Sequence, residues 1–320
     1  MRTFLVTSIF LVVTLTVAPA ADYPDHPIRL IVPQAPGSAT DNAARLIGAV
    51  LSQELGQQII VDNRPGGALT IGLDLVAKSP PDGYTIGMGP IGALAITRHM
   101  VSKLPYDIEL DFQPIALITR GQMLLAVSPK LPVSSVKELI DYARQNPGKL
   151  TNASSSNGSP GHVGAELFKY MTETKIVHVP YRGGSLAIND LIAGHVDLMF
   201  ESLQSIAPFG RDGKVRALAV TGDHRSPSFP DLPTVAEAGV PGYEATLWYG
   251  LVAAARTPPA VLEKLSSQVD KTLRDPEIIE KLSRQGVEPY YFGPQEFASR
   301  VRTEIPKWAK VIKDAGVRIE

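Results

Sequence analysis

The sequence predicts an α/β protein of two units, each a mainly parallel sheet flanked by helices. Three observations carry this expectation. Short apolar runs rich in Val, Ile and Leu alternate twice along the chain with stretches of helical periodicity. Glycine and proline punctuate most of the exchanges between them. In the early part of each unit a polar, small-residue loop opens a helix. These loops are Pro33-Gln34-Ala35-Pro36-Gly37-Ser38-Ala39-Thr40-Asp41 and Ala153-Ser154-Ser155-Ser156-Asn157-Gly158-Ser159-Pro160-Gly161-His162. Such a loop leaves backbone N–H groups unpaired at a helix N-terminus, where the helix dipole also favours negative charge. Two of them, far apart in sequence, point to an anion gripped from two sides.

Each element has a local reason. Ile28 to Val32 is a strand run. Thr40 or Asp41 is the expected cap of the next helix, in which Ala44, Ile47, Leu51 and Leu55 recur at helical spacing until Gly56. Ile59 to Val61 is a second strand, and Asn63-Arg64-Pro65-Gly66-Gly67 a turn. Ile71 to Ala77 is a helix stopped by Pro80-Pro81, and Tyr84 to Met88 a third strand. This β-α-β-α-β order implies parallel pairing with crossover helices. The middle repeats it. Strands are expected at Met123 to Val127, Leu150 to Ala153, Val177 to Pro180, Val196 to Phe200 and Arg216 to Val220. Helices are expected around Val136 to Ala143, at Val163 to Met171 and at Leu186 to Ala193, the last ended by Gly194. Three amphipathic helices close the chain: Pro258 to Leu273, Pro276 to Gln285 and Pro294 to Ala315, with Gly286 and Gly316 as stops. No low-complexity linker separates the halves. The boundary is expected near Gln122, with Tyr243 to Val252 as the return crossing. The expected division is therefore 1–20 as an export signal, 21–122 plus 246–320 as one lobe, and 123–245 as the other.

The N-terminus has the parts of a secretory signal: Arg2, an apolar run from Phe4 to Val17, and Ala18-Pro19-Ala20 before cleavage after Ala20 or Ala21. The apolar run is shorter than the ~20 residues that span a bilayer. The expected location is periplasmic. With no cysteine, the chain has no disulfides, thiolate metal site or cysteine nucleophile. Acidic and basic residues nearly cancel and no basic stripe appears, so nucleic acid is not an expected partner.

Enzymatic motifs find little support. Gly87-Met88-Gly89-Pro90-Ile91-Gly92 is a literal dinucleotide fingerprint, but it sits on the third strand rather than the first, and no clean second strand ends in an acidic residue about 20 positions on; Leu104 to Phe112, with a Pro and alternating acids, is there instead. Its glycines are expected to let the backbone turn at the mouth of the cleft. No GxSxG elbow occurs, and His162, three residues beyond Ser159, is expected to cap or pack. The histidines show no metal-ligand spacing. No cofactor is expected. Asp41 reads as a helix cap or a ligand contact, and the cap is favoured because a carboxylate repels an anion. Tyr181-Arg182-Gly183-Gly184 reads equally as a plain turn or as a pocket wall. Glu201 follows a strand at the carboxyl end, where open α/β sheets place ligands; it fixes the hinge or reads a ligand hydroxyl or amine. Trp248-Tyr249 reads as interlobe core rather than a stacking platform.

Several motifs in order carry a resemblance: Pro27-Ile28-Arg29-Leu30-Ile31-Val32-Pro33, Pro36-Gly37 with Asp41, Asn63-Arg64-Pro65-Gly66, and Pro81-Asp82-Gly83-Tyr84-Thr85. They continue with Asn146-Pro147-Gly148-Lys149, Val179-Pro180-Tyr181-Arg182-Gly183, Leu232-Pro233-Thr234-Val235-Ala236-Glu237-Ala238-Gly239 and Trp248-Tyr249-Gly250-Leu251. Over nearly the whole mature length the chain resembles the substrate-binding proteins of tripartite tricarboxylate transporters, the Bug family. The resemblance implies a two-lobe periplasmic binding fold, type II-like, that closes as a Venus flytrap, with the C-terminal helices packed on the first lobe. It implies a monomer that is not an enzyme, captures a small carboxylate (a di- or tricarboxylate, amino acid or aromatic acid) and presents it to membrane transporter subunits. A sensory protein signalling to a membrane receptor is the alternative, and a secreted hydrolase a more distant one. The implied contacts are Gln34, Ala35, Gly37, Ser38, Thr40, Asp41, Gly67 and Ala68 from the first lobe. Ser154, Ser155, Asn157, Gly158, Ser159, His162, Tyr181 and Gly183 come from the second, and the strand-end reading adds Glu201. Gln34, Ser38, Ser156 and the turn Pro65-Gly66-Gly67-Ala68-Leu69 depart from the family pattern, so specificity is expected there.

Overall fold

The computed structural model describes residues 23–284 and 287–317. The expected export signal and the expected stop at Gly286 lie outside them. From the N-terminal side run β1 (Ile28–Val32), α1 (Ala39–Leu55), β2 (Ile59–Asn63), α2 (Thr70–Ala77), β3 (Thr85–Pro90) and β4 (Phe112–Gly121). Next come β5 (Met123–Val127), α3 (Val136–Gln145), β6 (Thr151–Ser154), α4 (Pro160–Thr172), β7 (Val177–Pro180), α5 (Gly184–Ala193), β8 (Leu198–Ser202), α6 (Leu203–Arg211) and β9 (Arg216–Val220). The chain ends with β10 (Leu247–Ala254), α7 (Pro259–Leu273), α8 (Pro276–Arg284), β11 (Val287–Phe292) and α9 (Pro294–Ala315).

Two sheets result. One has the order β11-β4-β10-β3-β1-β2 and the other β7-β6-β8-β5-β9. The fold is two-lobe α/β as expected, with one correction: the sheets are mixed rather than mainly parallel. β1 pairs in parallel with β2 and β3, and β6 with β7 and β8, because helices join those strands. β10 is antiparallel to both β3 and β4, β11 to β4, and β5 to β8 and β9. None of these antiparallel pairs joins strands consecutive in the chain.

The two segments that pass between the sheets lie side by side. One is Gln122, between β4 and β5; the other leads through Ala245 into β10. Fully buried Thr221 ties them together: its hydroxyl accepts from the Met123 N–H at 2.9 Å and donates to the Ala245 carbonyl at 2.8 Å. Helices α7 and α8 pack on the first sheet, as expected. Helix α9 packs on β4 and also on α4, so it straddles both units. Its Arg300 pairs with Glu244 at 2.7 Å and with buried Glu304 at 2.8 Å, and Trp308 Nε1 donates to Glu304 at 2.7 Å.

Candidate functional site

A cleft of about 490 Å3 lies between the two units. Five helix N-termini border it: α1 through Ser38, Ala39 and Thr40, α2 through Leu69, α4 through Ser159 to Gly161, α5 through Gly184 and Ser185, and α6 through Ser202 and Ser205. The N–H groups of a first helical turn have no intrahelical acceptor; those not taken by a cap or loop oxygen, as those of Asp41, Thr70, His162 and Leu203 are, remain for whatever fills the cleft. Among the described residues lining it there is no Lys, Arg or His, and Glu201 is the one carboxyl group. The site can therefore hold an anion by backbone N–H groups, hydroxyls and helix dipoles rather than by an ion pair.

The first loop is held from beneath. Ser38 has extended backbone angles and accepts from the Asp41 N–H at 3.2 Å, so Ser38, not Thr40 or Asp41, caps α1. The Ser-x-x-Asp spacing allows Asp41 to reach back, as in a capping box. Its buried carboxylate accepts from the Gly37 N–H at 2.8 Å, from Asn63 Nδ2 at 2.9 Å and from Arg45 Nε at 3.0 Å. Burial pushes the Asp41 carboxyl up, but Arg45, the Gly37 N–H and Asn63 outweigh it and hold the carboxyl below its ordinary range. Asn63 Nδ2 also donates to the Gln34 carbonyl at 3.0 Å. Asp41 thus shapes the loop and lies outside the cleft lining. Gly37, with φ +80°, makes the turn behind the wall. Across from it, Ala68 (φ 52°) and Leu69 (φ 77°) both take left-handed backbone angles at the cleft. That conformation costs an L-residue about 1–2 kcal/mol, a local strain borne by the surrounding packing.

The second loop rests on a histidine pair. His162 and His178 stack with ring centroids 3.6 Å apart and planes 6° from parallel. The Gly158 N–H donates to His162 Nδ1 at 3.0 Å, which puts the ring proton on Nε2, 3.5 Å from Glu166 Oε1. Ser154 donates its hydroxyl to the Ser156 carbonyl at 2.9 Å, so His178 Nε2 donates to Ser154 Oγ at 2.7 Å. Burial, with His162 adding to it, pushes His178 down to about 4. Burial also pushes Glu166 up, but His162 and Lys169 outweigh it and hold it low. Ser154 is fully buried with its proton committed, which does not suit it to nucleophilic attack.

Of the residues named from sequence, Gln34, Ser38, Thr40, Ala68, Ser155, Asn157, Gly158, Ser159 and Glu201 line the cleft. Ala35, Gly37, Asp41, Gly67, Ser154, His162, Tyr181 and Gly183 do not. Tyr181 turns its hydroxyl to Asp190 at 2.6 Å, which also holds the phenol up near 12, with burial the larger cause. Gly183 (φ 146°) caps α5, and the wall begins at Gly184. Gly87 and Gly89 sit inside β3 and do not turn the chain. A Cβ on Gly87 would lie 2.9 Å from Val76, and one on Gly89 2.5 Å from Leu94, so these glycines make room for side chains. Gly92 does reach the cleft, at the start of a short π-helical turn, Gly92–Ile96. Trp248 is core, stacked edge-on against Phe297, whereas Tyr249 faces the cleft. The contributions of α6 and Tyr249 were not expected. Ser202, directly after Glu201 and ahead of Leu203, Ile206 and Ala207, is the cap signal that marks α6.

A family description, "Tripartite tricarboxylate transporter family receptor", matches residues 43–317. The chain is similar to Protein BugT of Bordetella pertussis, 33% identical over 322 residues that cover 100% of this chain and 99% of that protein. Among solved structures it is similar to R. palustris Rpa4515 with adipate, at 41% identity and a TM-score of 0.81, covering 93% of this chain and 99% of that one. It is also similar to MatC (Rpa3494) from Rhodopseudomonas palustris with bound malate, at 31% identity and a TM-score of 0.77, covering 91% and 100%. The chain belongs to the tripartite tricarboxylate transporter receptor family.

Proposed function

We propose that this chain is a periplasmic solute-binding protein that captures a small carboxylate between its two lobes and hands it to the membrane subunits of a tripartite tricarboxylate-type transporter. The observation that carries the reading is five helix N-termini around a cleft whose described lining holds no basic side chain. A carboxylate satisfies those donors, and closure needs no covalent chemistry. The lobes are residues 21–122 plus 246–320 and residues 123–245. The contacts are the cleft-facing residues of the Gln34–Thr40 and Ser155–Gly161 segments, with Ala68, Gly184 and Glu201. Adipate and malate in the two related structures support the ligand class. The apolar N-terminal run followed by Ala18-Pro19-Ala20 supports export and cleavage after Ala20 or Ala21. The protein acts as a monomer and not as an enzyme. Ligand binding shifts the open–closed equilibrium by its differential affinity for the closed state. Thermal-shift screening against mono- and dicarboxylates, amino acids and aromatic acids tests this. At least one acid raises the melting temperature; stabilisation by sugars or cations alone, with no response to any acid, contradicts it.

A further inference from the structure

Glu201 is at odds with a plain anion site. It is the next-to-last residue of β8, on the cleft wall, and its Oε1 accepts from the Ser202 N–H at 2.9 Å. Among the described residues its Oε2 accepts no hydrogen bond and no cation pairs with it. A Cβ built on Gly184 would lie 3.0 Å from that Oε2, so the carboxyl is pressed against the start of α5. From the other unit it faces Tyr249, whose phenol is raised by burial and by Glu201, with Thr40 opposing. Its free oxygen opens on the cleft, where a donor carried by the ligand can replace water. Among the described residues of the cleft wall, none is a charged donor.

We infer that Glu201 makes this cleft selective for a ligand that joins one carboxylate to an ammonium or hydroxyl donor, and that it discriminates against dicarboxylates. The inference rests on the carboxylate reading above. The helix N-termini take the ligand carboxylate, and Glu201 Oε2 accepts from the donor at the other end. Burial raises the Glu201 carboxyl, with the Ser202 N–H opposing. An arriving ammonium group restores the charge that burial disfavours. A second carboxylate forces one of two neighbouring acids to hold a proton or to repel the other. Selectivity of this kind uses repulsion of the wrong ligand as much as attraction of the right one.

The test is calorimetric titration at pH 7.5 with pairs matched in length: succinate against 4-aminobutyrate, glutarate against 5-aminopentanoate, adipate against 6-aminohexanoate. The wild-type protein binds the amino acid of the best-fitting pair at least tenfold more tightly than its dicarboxylate. Glu201→Gln keeps the shape and removes the charge, and it reduces that ratio at least tenfold, chiefly by admitting the dicarboxylate. A wild-type preference for the dicarboxylate in every pair overturns the inference, and this ratio needs no variant. A ratio unchanged in a folded Glu201→Gln protein overturns it as well. If acids bind but without the predicted preference, the inference fails and the carboxylate reading survives. If no acid binds, the carboxylate reading fails and the inference falls with it.

Discussion

Gly161 sits where helix α4 is pressed hardest onto its sheet, and Gly161→Ala tests whether that contact sets the cleft. A Cβ at this position would lie 2.1 Å from the Phe200 carbonyl oxygen and 3.3 Å from its carbon. Phe200 belongs to β8, buried between neighbouring strands, so the obstacle is backbone that cannot swing aside. Reaching ordinary contact requires α4 or β8 to move by about 1 Å, and overpacking of this kind costs ~1–3 kcal/mol. At ~2–4 °C per kcal/mol for a protein of this class, the upper end is a fall in Tm of about 6–12 °C. The same shift carries the first N–H groups of α4 about 1 Å from where they meet a ligand, and it lowers affinity by more than ~10-fold. Scanning calorimetry and titration with the best acid measure both. Gly210→Ala is the control: its Cβ meets nothing closer than 3.5 Å, and in a helix the change is neutral or stabilising by ~0.5–1 kcal/mol. If Gly161→Ala behaves like Gly210→Ala in stability and affinity, the close approach of α4 to β8 does not set the site.

Other perturbations have defined outcomes. Asp41→Ala leaves the Gly37 N–H and Asn63 Nδ2 without their acceptor, costs ~2–4 kcal/mol in urea denaturation, and weakens ligand binding through the loosened first loop. Thr221→Val removes both bonds that tie the crossing segments; it costs ~1–3 kcal/mol by the same assay. His178 titrates near 4 when folded and at its ordinary 6.5 when unfolded, so the unfolded chain takes up its proton first as the pH falls. Its contribution is complete above pH 6.5 and is lost between 6.5 and 4. It amounts to on the order of 1 kcal/mol after discounting for solvent screening. Denaturation at pH 7.5 and 5 shows the loss in the wild type and a flatter profile in His178→Gln; equal slopes contradict the assignment.

What the sequence discloses and what it hides divide along physical lines. Helices with clear stops were legible. Gly56, Gly194 and Gly316 each take left-handed angles at a helix end, and the strand runs of β1, β5 and β9 match in extent. β4 was not legible, since its partners β10 and β11 are distant in sequence. Its Pro114 sits beside a register shift against β10, where a missing N–H is tolerated. Helix α6 was hidden by Pro208 and Gly210 inside it. In the site, spacing identified the loops but not the side of each loop that faces the cleft. Asp41 and His162 carry the chemistry of ligand contacts, yet both turn inward to hold backbone N–H groups. Tyr249 reaches the cleft through pairing with β3, a contact of long sequence separation that no local pattern encodes.

The most direct test of the account is a crystal structure with the preferred acid bound. Its carboxylate should lie in the cleft within hydrogen-bonding distance of N–H groups at the starts of α1 and α4, with no Lys or Arg side chain on it. A ligand seated elsewhere, or held in the cleft by a basic side chain while those N–H groups face water, would contradict the account.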